Sequence, residues 1–83
     1  MRLLYFAWLK TSLGTSEEQI EPPGDVRDVR GLIDWLKGRD AKFAEAFADE
    51  GAIRVAVNHD YARPADPVCP GDEVAFFPPV TGG

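Results

Sequence analysis

Two apolar stretches lie at opposite ends of the chain, and each is apolar on both of its period-2 faces. Residues 1–8 place Leu3, Tyr5 and Ala7 on one side and Leu4, Phe6 and Trp8 on the other. Residues 72–77 carry Val74, Ala75, Phe76 and Phe77 directly after the turn signal Pro70-Gly71. A strand without a polar face belongs inside a sheet, with neighbours on both edges and cover on at least one side. One strand from each end of the chain therefore forms a central pair. A helical segment between them makes their parallel pairing topologically simple.

That helix has the best-defined signal in the sequence. Asp25 is a suitable N-cap, Asp28 adds a favourable charge in the first turn, and Val26, Val29, Leu32, Ile33 and Leu36 form one apolar stripe. Gly38 reads as the stop, with Lys37 and Arg39 complementing the dipole. Gly31, which costs about 1 kcal/mol inside a helix relative to alanine, marks a close approach to the sheet. Asp40 caps a shorter helical piece with Phe43, Ala44 and Phe47 on one side. Residues 10–15 read as a hairpin loop through Gly14, and residues 16–21 as an acidic edge strand with Ile20 inward. After Gly51, the alternation of Ile53, Val55 and Val57 predicts a strand, Asn58-His59-Asp60 a turn, and residues 61–63 a short returning strand. Residues 64–70 hold three prolines and form a tight connection. With 83 residues and 45% apolar content there is one domain and one modest core. The expected class is α+β: a mixed four- to five-stranded sheet, one face covered by a major helix and a short second helix, which is the ubiquitin-like β-grasp arrangement.

The domain is expected to span residues 1–77 and to end in an extended tail, residues 78–83. Pro78 and Pro79 end the last strand, since neither can donate to the ladder. Six residues reach about 20 Å when extended. The prolines stiffen the tail's base, while Gly82 and Gly83 remove side chains beside the terminal carboxylate, so a narrow channel can close around Val80, Thr81, Gly82 and Gly83. A frayed end is the plain alternative for a bare Gly-Gly. Phe76 and Phe77 must face opposite sides of the sheet, and either phase is open; Phe77 with Pro78 and Pro79 would make an exposed apolar patch, which Phe6 or Trp8 extends.

The net charge of −5 argues against phosphate-backbone binding and for docking on a basic or apolar protein surface. Neither nucleic acid nor membrane is expected as a partner, because no apolar run approaches spanning length. The lone Cys69 excludes an internal disulfide and suits a reducing, cytoplasmic setting; it is read as a partly buried small residue. His59, the only histidine, reads as a surface turn residue. One Cys and one His without ligand spacing assemble neither a metal site nor a nucleophile–base pair, and no glycine loop cradles phosphate. No bound cofactor and no catalytic constellation are expected. Glu17, Glu18, Asp49 and Glu50 read as a solvated acidic face.

Tyr5-Phe6-Ala7, Val55-Ala56-Val57-Asn58, and above all the run from Gly71 through Phe76-Phe77-Pro78-Pro79 to Gly82-Gly83 resemble the small, sulfur-carrying subunits of molybdopterin synthase (molybdopterin-converting factor subunit 1), a family of ubiquitin-like sulfur carriers. The likeness extends over the whole chain in length and element order. It implies that an adenylyltransferase of the ubiquitin-activating type, using ATP, activates the Gly83 carboxylate. A sulfur-donating protein then converts it to a thiocarboxylate, and the tail delivers sulfur to the cyclic pyranopterin precursor inside the large synthase subunit. The assembly so implied has two small and two large subunits. It further implies that Phe6, Lys10, Phe77 and Pro78 touch the large subunit and that Pro79 onward enters it. Lys10 stands where the family often carries arginine, which keeps the charge and loses bidentate geometry. Two alternatives remain: sulfur carriage for thiamine or another thiolated product, whose carriers tend to be shorter and to lack Phe-Phe-Pro-Pro, and a β-grasp interaction module or modifier conjugated to lysines through Gly83.

Overall fold

The apolar strands from the two ends of the chain lie side by side at the centre of one sheet. The computed structural model describes residues 1–79. Strands β1 (Arg2–Tyr5), β2 (Glu17–Gln19), β3 (Arg54–Val57), β4 (Asp60–Ala62) and β5 (Glu73–Phe77) are arranged in the order β2-β1-β5-β3-β4. β1 and β5 run parallel, with Leu3 opposite Val74 and Tyr5 opposite Phe76. The remaining neighbours are antiparallel. Three helices complete the fold: α1 (Trp8–Leu13), α2 (Val29–Arg39) and α3 (Ala41–Ala46), with a 3-10 turn at Glu50–Ala52. This is the expected β-grasp, with a five-stranded sheet.

The core lies between the helices and one face of the sheet. Leu3, Tyr5, Val55, Val74 and Phe76 point inward and meet Val29, Leu32, Ile33 and Leu36 of α2. At one end four rings interlock: Tyr5 meets Phe43 edge-on at 5.5 Å and stacks on Phe76 at 6.0 Å, while Phe47 packs on Phe76 at 5.2 Å. Fully burying side chains of this size contributes about 1.5–3 kcal/mol each, so the helix stripe and inward strand residues carry the fold. The phase of β5 is thereby decided. Phe76 is buried and Phe77 faces outward, half-buried.

Several local expectations are corrected. Residues 8–13 form helix α1, not a hairpin loop, because Leu9 and Leu13 lie one turn apart and both reach the core. Gly14 closes that helix in the left-handed conformation, its N–H bonded to the Lys10 carbonyl. The first strand consequently ends at Tyr5, and Trp8 and Lys10 are helical. Asp28, not Asp25, caps α2, its carboxylate accepting from the Gly31 N–H at 2.7 Å. The same carboxylate explains Gly31: a Cβ there would lie 3.1 Å from Asp28 Oδ1, whereas the sheet is not what crowds it. Helix α2 continues through Gly38 to Arg39, and Asp40 ends α2 while capping α3 by accepting from Lys42 N–H. The β3-β4 turn is the pair Asn58-His59, both at positive φ, as a type I′ hairpin requires. Asn58 also ties that turn to β5, accepting from the Glu73 N–H and donating to the Asp72 carboxylate. Cys69 is exposed, not partly buried.

Tyr5 carries an internal conflict. Its ring is buried, yet its hydroxyl meets no hydrogen-bond partner among the described residues. Burial pushes the phenol pKa far above its ordinary value, and the nearby Glu18 carboxylate pushes it further in the same direction. Tyr5→Phe should therefore leave unfolding free energy unchanged or raise it by about 1 kcal/mol; a clear loss in urea melts would show a bonded hydroxyl. The folded protein also keeps a proton that the unfolded chain releases near pH 10. This contribution is complete below that pH and is lost as pH rises above it, so Tyr5→Phe should flatten the alkaline decline in stability. Phe76→Ala should cost about 3–5 kcal/mol, whereas Phe77→Ala on the outer face should cost on the order of 1 kcal/mol. Equal losses would mean that Phe77 belongs to the core.

Candidate functional site

All of the major helical cover falls on one face, so the other face of the sheet presents its side chains outward. Leu4 of β1 lies opposite Ala75 of β5, Ala75 opposite Ala56 of β3, and Ala56 opposite Tyr61 of β4. Phe6 and Phe77 stand at one end of this row, while His59 and Glu73 stand at the other. Two alanines between larger side chains make a shallow apolar trough across four strands. Phe6 is 48% exposed and Tyr61 77%, and the Tyr61 ring rests 5.8 Å from that of Phe77. Contiguous exposed apolar surface of this kind marks a place where another molecule docks.

The trough ends where β5 ends. The Phe6 N–H donates to the Phe76 carbonyl at 3.1 Å, so the chain after β1 follows β5 to its last residue. β5 stops at Phe77; Pro78 is half-buried and Pro79 exposed. Phe6, Phe77 and Pro78 are thus brought together at the end of β5. Lys10, exposed on α1, lines a neighbouring depression with Leu4, Phe6, Ala7 and Glu17, and so borders the same region. Val80, Thr81, Gly82 and Gly83 lie outside the described residues.

Trp8 does not extend the patch. It turns toward α3 and lines a separate depression with Ser12, Lys42, Ala46 and Asp49. The cause is Ala7, whose φ of 56° with ψ of −133° reverses the chain between Phe6 and Trp8. A non-glycine residue in such a conformation stores about 1–3 kcal/mol of strain. Sequence reasoning also missed Tyr61, Ala56 and Ala75. Period-2 alternation was the available signal: each is out of phase with a neighbouring core residue on its strand.

Charge frames the trough without filling it. Arg2 pairs with Glu17 at 2.8 Å and approaches Glu73 at 3.9 Å, and His59 lies 3.3 Å from Glu73. These pairs are solvent-exposed and individually worth little; their effect is to mark the polar rim. Among the described residues, no group of three or more histidine, cysteine or acidic side chains is placed to hold a metal ion, and no helix is long and apolar enough to cross a membrane. Cys69 and His59 are both exposed on the surface and are not brought to the tail root. The arrangement offers a surface for docking and a point from which the chain departs.

Comparison with known proteins bears on the whole chain. The model of the ThiS family matches residues 3–83. The chain is 35% identical over 83 residues to the molybdopterin synthase sulfur carrier subunit of Escherichia coli (strain K12), covering 100% of this chain and 99% of that protein. It is 34% identical to the subunit of the same name from Haemophilus influenzae, again over 100% of this chain and 99% of the relative. The crystal structure of Haloferax volcanii small archaeal modifier protein 1 superposes with a TM-score of 0.77 at 30% identity, covering 95% of each chain. Matched from β1 to its last residue, this chain belongs to the ThiS family.

Proposed function

We propose that this protein is the sulfur-carrier subunit of a molybdopterin synthase, a protein cosubstrate whose reactive group is the carboxylate of Gly83. The observation that carries this reading is the apolar trough at the tail's root: Phe6 and Phe77 flank the point where Pro78 and Pro79 lead off the sheet. Two relatives at 34–35% identity over their full length, both named as molybdopterin synthase sulfur carrier subunits, support it.

In this reading the chemistry passes through the terminus alone. Oxygen of the Gly83 carboxylate attacks the α-phosphorus of ATP on an activating partner, forming an acyl-adenylate and releasing pyrophosphate. A persulfide on a donor protein adds to the activated carbonyl and AMP leaves, giving an acyl disulfide; a second thiolate then cleaves its S–S bond, releasing the thiocarboxylate and leaving the donor as a disulfide. The large synthase subunit supplies the acid and base groups when sulfur passes to the cyclic pyranopterin precursor. This chain supplies position: the outer face docks, Lys10 adds a cation at its border, and the stiff Pro78-Pro79 root directs residues 79–83 into the partner. Small side chains at the end keep the carbonyl open to attack.

A second reading is favoured by the likeness to the Haloferax modifier protein. There, the same activated Gly83 would be captured by a lysine amine, giving an isopeptide in place of a thiocarboxylate.

Intact-mass analysis after incubation with the activating enzyme, ATP and a sulfur source separates the two. The expected result is a sulfur-for-oxygen exchange localised to Gly83; adducts joined through lysine, with no sulfur at the terminus, would favour the modifier. Deleting Gly82 and Gly83 should abolish transfer while leaving the melting temperature nearly unchanged, and a large thermal shift would place the tail in the core. In pull-downs with the large subunit, Phe77→Ala should weaken association by about tenfold or more. Unchanged association would move the docking face elsewhere.

A further inference from the structure

On the helical side, α2 and the β3-β4 hairpin leave a groove between them. Ile33, Phe47 and Val55 form its floor, and Arg30, Arg54 and Arg63 stand along it. The Arg54 guanidinium donates to the Gly51 carbonyl at 3.0 Å with one of its five N–H groups, and the Arg63 backbone N–H donates to the Asp66 carboxylate at 2.8 Å. In a chain of net charge −5, three of nine basic residues are thus gathered at one apolar groove. β4 is the edge of the sheet, and Ala62 of β4 with the adjoining Arg63 borders the groove, so an extended segment can run alongside. None of the lining residues is shared with the outer trough.

We propose that this groove docks an extended acidic peptide segment of a partner protein, with an apolar side chain on the floor and carboxylates on the guanidinium groups of Arg54 and Arg63. Arginine matches carboxylates bidentately and is less strongly hydrated than lysine, which suits a half-apolar site. A nucleic acid would leave the apolar floor uncovered, whereas a peptide can place an apolar side chain there beside its carboxylates. Because the groove and the trough are separate surfaces, an acidic segment can be held while the outer face is engaged. The proposal stands independently of what the tail carries.

The test uses the full chain and a fluorescein-labelled peptide of about eight residues alternating glutamate and valine, roughly 27 Å long when extended. Fluorescence anisotropy should show saturable binding that weakens with added salt and falls by about tenfold in Arg54→Glu and in Arg63→Glu. Both arginines are exposed, and thermal melts check that each variant is folded. Two measurements do not depend on variants. Replacing the peptide's valines with serine should abolish binding, and amide chemical-shift changes in the unaltered protein should centre on Ile53, Ala62 and Arg63. No saturable binding, equal binding of a lysine–valine peptide, tighter binding of a labelled oligothymidine, or shifts centred on Ala75 and Phe77 would each overturn the proposal.

Discussion

The parallel contact between β1 and β5 joins the two ends of the chain, and the rest of the structure depends on it. Leu3, Tyr5, Val74 and Phe76 face the helices from these two strands, so the centre of the core is built from residues more than sixty positions apart. Such a contact closes nearly the whole chain into one loop, at an entropic cost that grows only slowly with length. It also fixes where β5 ends. Because β5 is central and follows β1 in direction, its last residue emerges beside Phe6, between the sheet's outer face and α1.

Much of this was legible because the governing signals were strong. Period-2 alternation and a proline stop defined β5, and an apolar stripe, four of whose five residues (Val29, Leu32, Ile33 and Leu36) lie in the helix, defined α2. Strands apolar on both faces named the central pair. What escaped was decided by competition between neighbouring caps or by tertiary contact. Asp25 and Asp28 are equally good caps in isolation; Asp28 wins because its carboxylate reaches the Gly31 N–H, and its glycine partner leaves room for that approach. Helix α1 is only six residues long, too short to be stable alone, and forms because Leu9 and Leu13 are captured by the core. Its short apolar spacing was overshadowed by the strand-like residues before it, and Ala7 offered no hint that it would adopt a conformation usually left to glycine.

That turn at Ala7 decides the candidate site as well. In a continued strand, Phe6 and Trp8 would lie on the same outward face, as alternation alone implies. The reversal sends Trp8 to the α1–α3 side and leaves Phe6 as the aromatic beside Phe77. The trough thereby ends at the tail's root instead of running past it. Alternation could place Tyr61, Ala56 and Ala75 off the core face, but not side by side. Small residues in strands carry no individual signal, and only the register shows that they line up with Leu4 across four strands.

A fold covered on one face resolves a conflict that a carrier must meet. In the function proposed above, a tail that enters another protein's active site cannot also be packed against its own core, so it has to leave from an element that is anchored without it. β5 meets this condition: it has neighbours on both edges, and Phe76 is buried on the covered side. Phe77, one residue later, belongs to the opposite face and adds little to the core. The strand can therefore hold the fold through one residue and present the next to a partner. The same alternation that makes a strand stable inside the sheet makes its final residue available outside. Pro78 and Pro79 keep this division sharp by ending the ladder immediately after it.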